Sequence, residues 1–136
     1  MSTVYADLAV KTFESGEAVA GVVFKYRKTA GENDTFYNYE TFKIASLYSE
    51  IEKSKFRYLI KVIHQIIEEL PAETEAVVIR SSAKQMSQYR RLNKLLSDAP
   101  VKVIPLYYQR LEAIEADTFI LCEDAAERRE DCIVEV

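Results

Sequence analysis

The chain has 136 residues, 49% of them hydrophobic and 29% charged, with a formal net charge of −4. That length and balance fit one globular domain over residues 1–136 with a real core, and the acidity argues against wholesale coating of nucleic acid. No apolar run approaches the roughly 18 residues that span a membrane. The two cysteines, Cys122 and Cys132, make no disulfide framework. MSTVYADLAVK lacks a signal-peptide pattern, so a cytoplasmic protein with free thiols is expected.

Residues 3–11 alternate as a strand, and within it VYADLAV (4–10) sets Asp7 among apolar neighbours. A carboxylate there is costly unless it is paired, hydrated or bound to a cation. AVAGVVFKYR (18–27) is valine- and aromatic-rich and predicts a second strand. TAGEND reads as a turn, and TFYNYETFKI (35–44) as a third strand, an edge strand that closes an antiparallel meander.

Periodicity then changes. Leu47, Ile51, Tyr58, Val62, Ile66 and Leu70 recur at helical spacing. They predict a helix that begins between Ser46 and Ser49, with Ser49 and Glu52 as a capping box, and ends before Pro71. AVVIRSS (76–82) has the continuous apolar pattern of a strand buried on both faces. Residues 84–96 predict a helix with Met86, Tyr89, Leu92 and Leu96 on one side and Lys84, Arg91 and Lys94 roughly opposite. VKVIPLYY (101–108) reads as another buried strand, and Leu111, Ile114, Thr118 and Leu121 as a last helix to about residue 128. The order is βββαβαβα, with a β-α-β-α-β half that favours parallel strands.

Charge is uneven along the chain. Arg80, Lys84, Arg90, Arg91 and Lys94 fall in a stretch without an acid, whereas residues 111–136 carry nine acidic and two basic residues. The basic stretch is either a polyanion contact or a solvated helix face. His64 is the only histidine and no phosphate-binding or nucleophile motif is present. Tyr37 and Tyr39 on the third strand suit cross-strand packing, base stacking or a protein contact.

The element order, Asp7 on the first strand, GVVFKY (21–26) on the second and IEADTFILCEDA (114–125) on the last helix together resemble the ribonuclease H-like superfamily. The resemblance implies a five-stranded mixed sheet, ordered 3-2-1-4-5, with helices on both faces. It also implies carboxylates from separate elements that hold two divalent ions, Mg²⁺ or Mn²⁺, about 3.5–4 Å apart for phosphodiester displacement. Asp7, Glu50 and Asp117 take those catalytic and metal-binding positions, and Lys84, Arg90, Arg91 and Lys94 take nucleic-acid contacts. Glu50 has a second reading, as a first-turn glutamate favoured by the helix dipole. The family's aspartate at the end of the fourth strand is replaced by Ser81 and Ser82, which leaves a degenerate site.

Three readings of Asp7 therefore stay open: working ligand, remnant, or residue with a structural partner. Two functions follow. One is a nucleic-acid-associated relative of a metal-dependent nuclease, with RNA, RNA–DNA hybrid or DNA as partner and hydrolysis weak or lost. The other is a noncatalytic protein-interaction or scaffold domain. A noncatalytic descendant predicts that Asp7→Asn leaves both function and stability intact.

Overall fold

The computed structural model describes residues 2–28, 38–108 and 112–136. Six strands form one sheet: β1 (Ser2–Thr12), β2 (Ala18–Lys28), β3 (Asn38–Ser49), β4 (Thr74–Ser81), β5 (Lys102–Tyr107) and β6 (Cys132–Glu135). The helices are α1 (Lys55–Glu68), α2 (Tyr89–Leu95) and α3 (Glu112–Arg128), with a 3₁₀ turn at Lys84–Ser87. The sheet order is β5-β4-β1-β2-β3-β6. β1 pairs antiparallel with β2 and parallel with β4, and β4 pairs parallel with β5.

The five expected strands keep their expected neighbours, but the sheet has six strands rather than five. The addition is CIVE, which pairs antiparallel with β3 from Ser46↔Cys132 to Lys43↔Glu135. β3 is therefore not an edge. Residues 35–37 of the expected third strand lie outside the described residues.

Alternation on β1 builds two layers. Val4, Ala6, Leu8 and Val10 face the main core with Phe24, Leu59, Ile63, Ile79, Met86 and Leu92. Burying each large apolar side chain there contributes about 1.5–3 kcal/mol. Ala9 and Val19 face the other way, onto Cys122 and Ala125 of α3. Gly21 permits that packing, because a Cβ there would lie 2.1 Å from the Thr118 carbonyl oxygen. The glycine is required by the close approach of the α3 backbone.

The first helix starts later than its apolar spacing suggests. β3 runs on to Ser49, and α1 is capped by Ser54, whose hydroxyl accepts from the Arg57 N–H at 3.1 Å. Ser49 does donate to Glu52 at 2.6 Å, but in the β3–α1 connection rather than in a capping box. Leu47 belongs to the strand, and Ile51 is 77% exposed. The expected helix over 84–96 divides into the 3₁₀ turn and α2. No helix among the described residues is long and apolar enough to cross a membrane.

Candidate functional site

Asp7 lies in the middle of β1 and is completely buried. Its register partners are Val23 on β2 and Arg80 on β4. Arg80 donates from Nε to Oδ1 at 2.6 Å and from Nη2 to Oδ2 at 3.1 Å. Lys25, which pairs with Tyr5 one step along the same face, brings Nζ to 2.8 Å from Oδ2. The question raised by VYADLAV is thus answered by two cations. Burial works against charge on Arg80, but the hydrogen bonds and charge of Asp7 outweigh it and raise the guanidinium above its usual range. The guanidinium also lies 4.8 Å from the Tyr39 ring centre and 5.6 Å from that of Tyr5. Those rings meet edge-on at 5.1 Å, so aromatic packing fixes the arginine that fixes the aspartate.

Residues fit for a metal pair would leave carboxylate lone pairs free and bring several acids to one place. Here both oxygens of Asp7 are taken by cations. Glu50 is exposed on the bend after β3, because the strand continues to Ser49 and α1 begins only at Lys55. Asp117 is exposed on α3. Among the described residues, no group of three acidic, histidine or cysteine side chains could hold a metal ion. The expected cluster of Asp7, Glu50 and Asp117 is not brought together among the described residues. Because the partners of Asp7 are cations, its removal relieves no repulsion, contrary to what the noncatalytic reading alone predicts for Asp7→Asn.

The carboxyl ends of the parallel strands β1 and β4 open instead onto a crevice of about 320 Å³. Ala9, Ser81, Ser82, Lys55, Lys84 and Phe119 line it, and none of its described lining residues is acidic. Ser82, expected at the weakened acidic position, is half-buried in this wall. Ser81 is fully buried, and its Oγ accepts from the Ala83 N–H at 3.2 Å.

The expected nucleic-acid contacts Lys84, Arg90, Arg91 and Lys94 are all exposed, on the 3₁₀ turn and α2. Arg91 also stacks 3.8 Å from the Phe56 ring centre, so part of its role is to cover the core. The Tyr89 hydroxyl accepts from the Tyr107 N–H at 3.0 Å and ties α2 to β5. His64 is exposed on α1, and both cysteines are free. Sequence reasoning missed Lys25, Lys55 and the pairing of Arg80. The usable signal was alternation: on β4, Arg80 shares a face with Val78, which lies beside Tyr5.

No protein-family model matches the chain, and no curated protein sequence matches it. Solved structures do. The fold is similar to that of LC9-RNase H1, a type 1 RNase H with the type 2 active-site motif. The TM-score is 0.62 at 12% identity, over 98% of this chain and 76% of that one. It is also similar to RNase H1 from the halophilic archaeon Halobacterium salinarum NRC-1, with a TM-score of 0.50 at 14% identity, over 93% of this chain and 98% of that one. Identities this low bear on architecture alone. The antiparallel β1–β2–β3 meander, the parallel β1–β4–β5 half and these superpositions together give the chain a ribonuclease H-like fold.

Proposed function

We propose that the protein is a nucleic-acid-binding module on a ribonuclease H-like fold, one that holds its ligand without hydrolysing it. The observation that carries this reading is the Asp7 carboxylate, closed by Arg80 and Lys25 at 2.6–3.1 Å. The part-buried guanidinium and ammonium satisfy the carboxylate electrostatically, and among the described residues no cluster of acids stands beside it to share a metal. Nucleic acid as the ligand is supported by the fold shared with two RNase H1 structures and by the exposed Lys84, Arg90, Arg91 and Lys94. Such side chains neutralise phosphates and release condensed counterions, which gives salt-dependent and largely sequence-independent affinity.

Fluorescence anisotropy with labelled RNA–DNA hybrid, single-stranded RNA and duplex DNA tests this in EDTA. Binding that persists without divalent metal and weakens steeply with salt is expected. Absence of binding to all three contradicts it. A protein partner is the second reading, favoured by an apolar groove of about 700 Å³ between the β1–β2 hairpin and α3. Phe13 and Phe119, 39% and 48% exposed, line that groove.

A further inference from the structure

We infer that the crevice at the carboxyl ends of β1 and β4 is a metal-free phosphate site, which takes one phosphodiester of a nucleic-acid backbone through Lys55 and Lys84. The ligand class rests on the nucleic-acid reading above, whereas the anion site rests on the crevice itself. In open α/β sheets, ligands bind beyond the carboxyl ends of parallel strands where the chain reverses direction across the sheet. β1 is that place here: the chain leaves it toward β2 and β3, then returns through α1 to β4 on the other side.

The chemistry of the walls selects an anion. Lys55 and Lys84 line the same cavity of about 320 Å³, and neither makes an ion pair with the described residues. With no acidic group among the described lining residues, their two positive charges are uncompensated there. The hydroxyl of the fully buried Ser81 spends its acceptor on the Ala83 N–H, and its own O–H remains to donate. Gln85 also lines the cavity, and its side-chain oxygen is buried without a hydrogen-bond partner. Turning that amide by a half-rotation about its terminal bond presents N–H groups at the same spot.

Ammonium, hydroxyl and amide donors around one small cavity match the tetrahedral oxygens of a phosphodiester. The two lysines supply the charge neutralisation that divalent metals would otherwise supply, but they generate no nucleophile. Such a site binds a phosphate and leaves it intact. Phe119 forms part of the same wall from α3 and offers a half-exposed ring to the adjoining sugar or base.

Two measurements separate this site from the wider functional reading. In the first, ¹⁵N-labelled protein is titrated with inorganic phosphate. The amide signals of Ser82, Ala83, Lys84 and Gln85 should shift, and Lys55→Ala with Lys84→Ala should abolish the shifts. In the second, affinity for an RNA–DNA hybrid is followed against salt. Each lysine substitution should lower the slope of log K against log[salt] by about one unit. Phosphate shifts without any hybrid binding support the anion site and overturn only the nucleic-acid reading. Hybrid binding with an unchanged slope in both variants, alongside a lowered slope in Arg90→Ala, overturns the crevice and leaves that reading standing. Unmoved amides in phosphate overturn the site.

Discussion

Arg80 lies beside Asp7 in the parallel register of β1 and β4 and holds both oxygens of its carboxylate, at 2.6 Å and 3.1 Å. Removing Asp7 strands two cations, and removing Arg80 leaves the buried carboxylate with Lys25 alone. Arg80→Met and Asp7→Asn should each cost about 3 kcal/mol of unfolding free energy, read from urea denaturation. The triple variant Asp7→Leu, Lys25→Met, Arg80→Met removes all three charges together and should recover most of that loss. A triple variant as unstable as the single ones would show that shape, not charge, governs this centre.

Gly21 lies under α3, where a methyl group would meet the Thr118 carbonyl at 2.1 Å and Leu121 Cβ at 2.8 Å. Backbone atoms cannot swing aside as a side-chain tip can. Gly21→Ala should destabilise the fold by about 1–3 kcal/mol as the helix lifts from β2. Thermal unfolding followed by circular dichroism measures it, and an unchanged midpoint would contradict the packing.

Ser54 and Ser49 decide where the first helix begins. Ser54 caps α1 through the Arg57 N–H, so Ser54→Ala should cost about 1 kcal/mol in chemical denaturation. Ser49→Ala loses only a hydrogen bond to Glu52, a carboxylate that Lys61 also holds at 2.6 Å. A larger loss at Ser49 would restore the earlier helix start.

Burial pushes the Cys122 thiol up from 9.0 to about 11. A raised pKa means the fold favours the protonated thiol. This contribution to stability is fully present below the unfolded value and is lost as pH rises through the folded one, between about 9 and 11. At pH 8, iodoacetamide should label Cys132 well before Cys122, because thiolate is the reactive form and Cys122 is buried. Mass spectrometry of partly labelled protein checks the order, and equal labelling would contradict it.

Much of the fold was legible because each strand carries its own signal. The alternation of Val4, Ala6, Leu8 and Val10 and the apolar run AVVIRSS identify β1 and β4 locally. The four residues of β6 offer too short a pattern, and only their pairing with β3 makes them a strand. Leu47 and Ile51 matched a helical period by coincidence. Leu47 is buried by strand alternation, and Ile51 is in solvent. The site was less legible because it depends on register between distant segments. Nothing within VYADLAV reveals that Arg80, 73 positions away, will stand beside Asp7. Nor does local sequence show that Lys55 and Lys84 line one crevice.

Cleavage of end-labelled RNA–DNA hybrid in the presence of Mn²⁺, by wild type and by Asp7→Asn prepared identically, tests binding without hydrolysis most directly. Intact strands with both proteins, under conditions where the hybrid is bound, are the predicted result. Metal-dependent cleavage by the wild type would contradict binding without hydrolysis, and its loss in Asp7→Asn protein shown to be folded by circular dichroism would make Asp7 a working ligand.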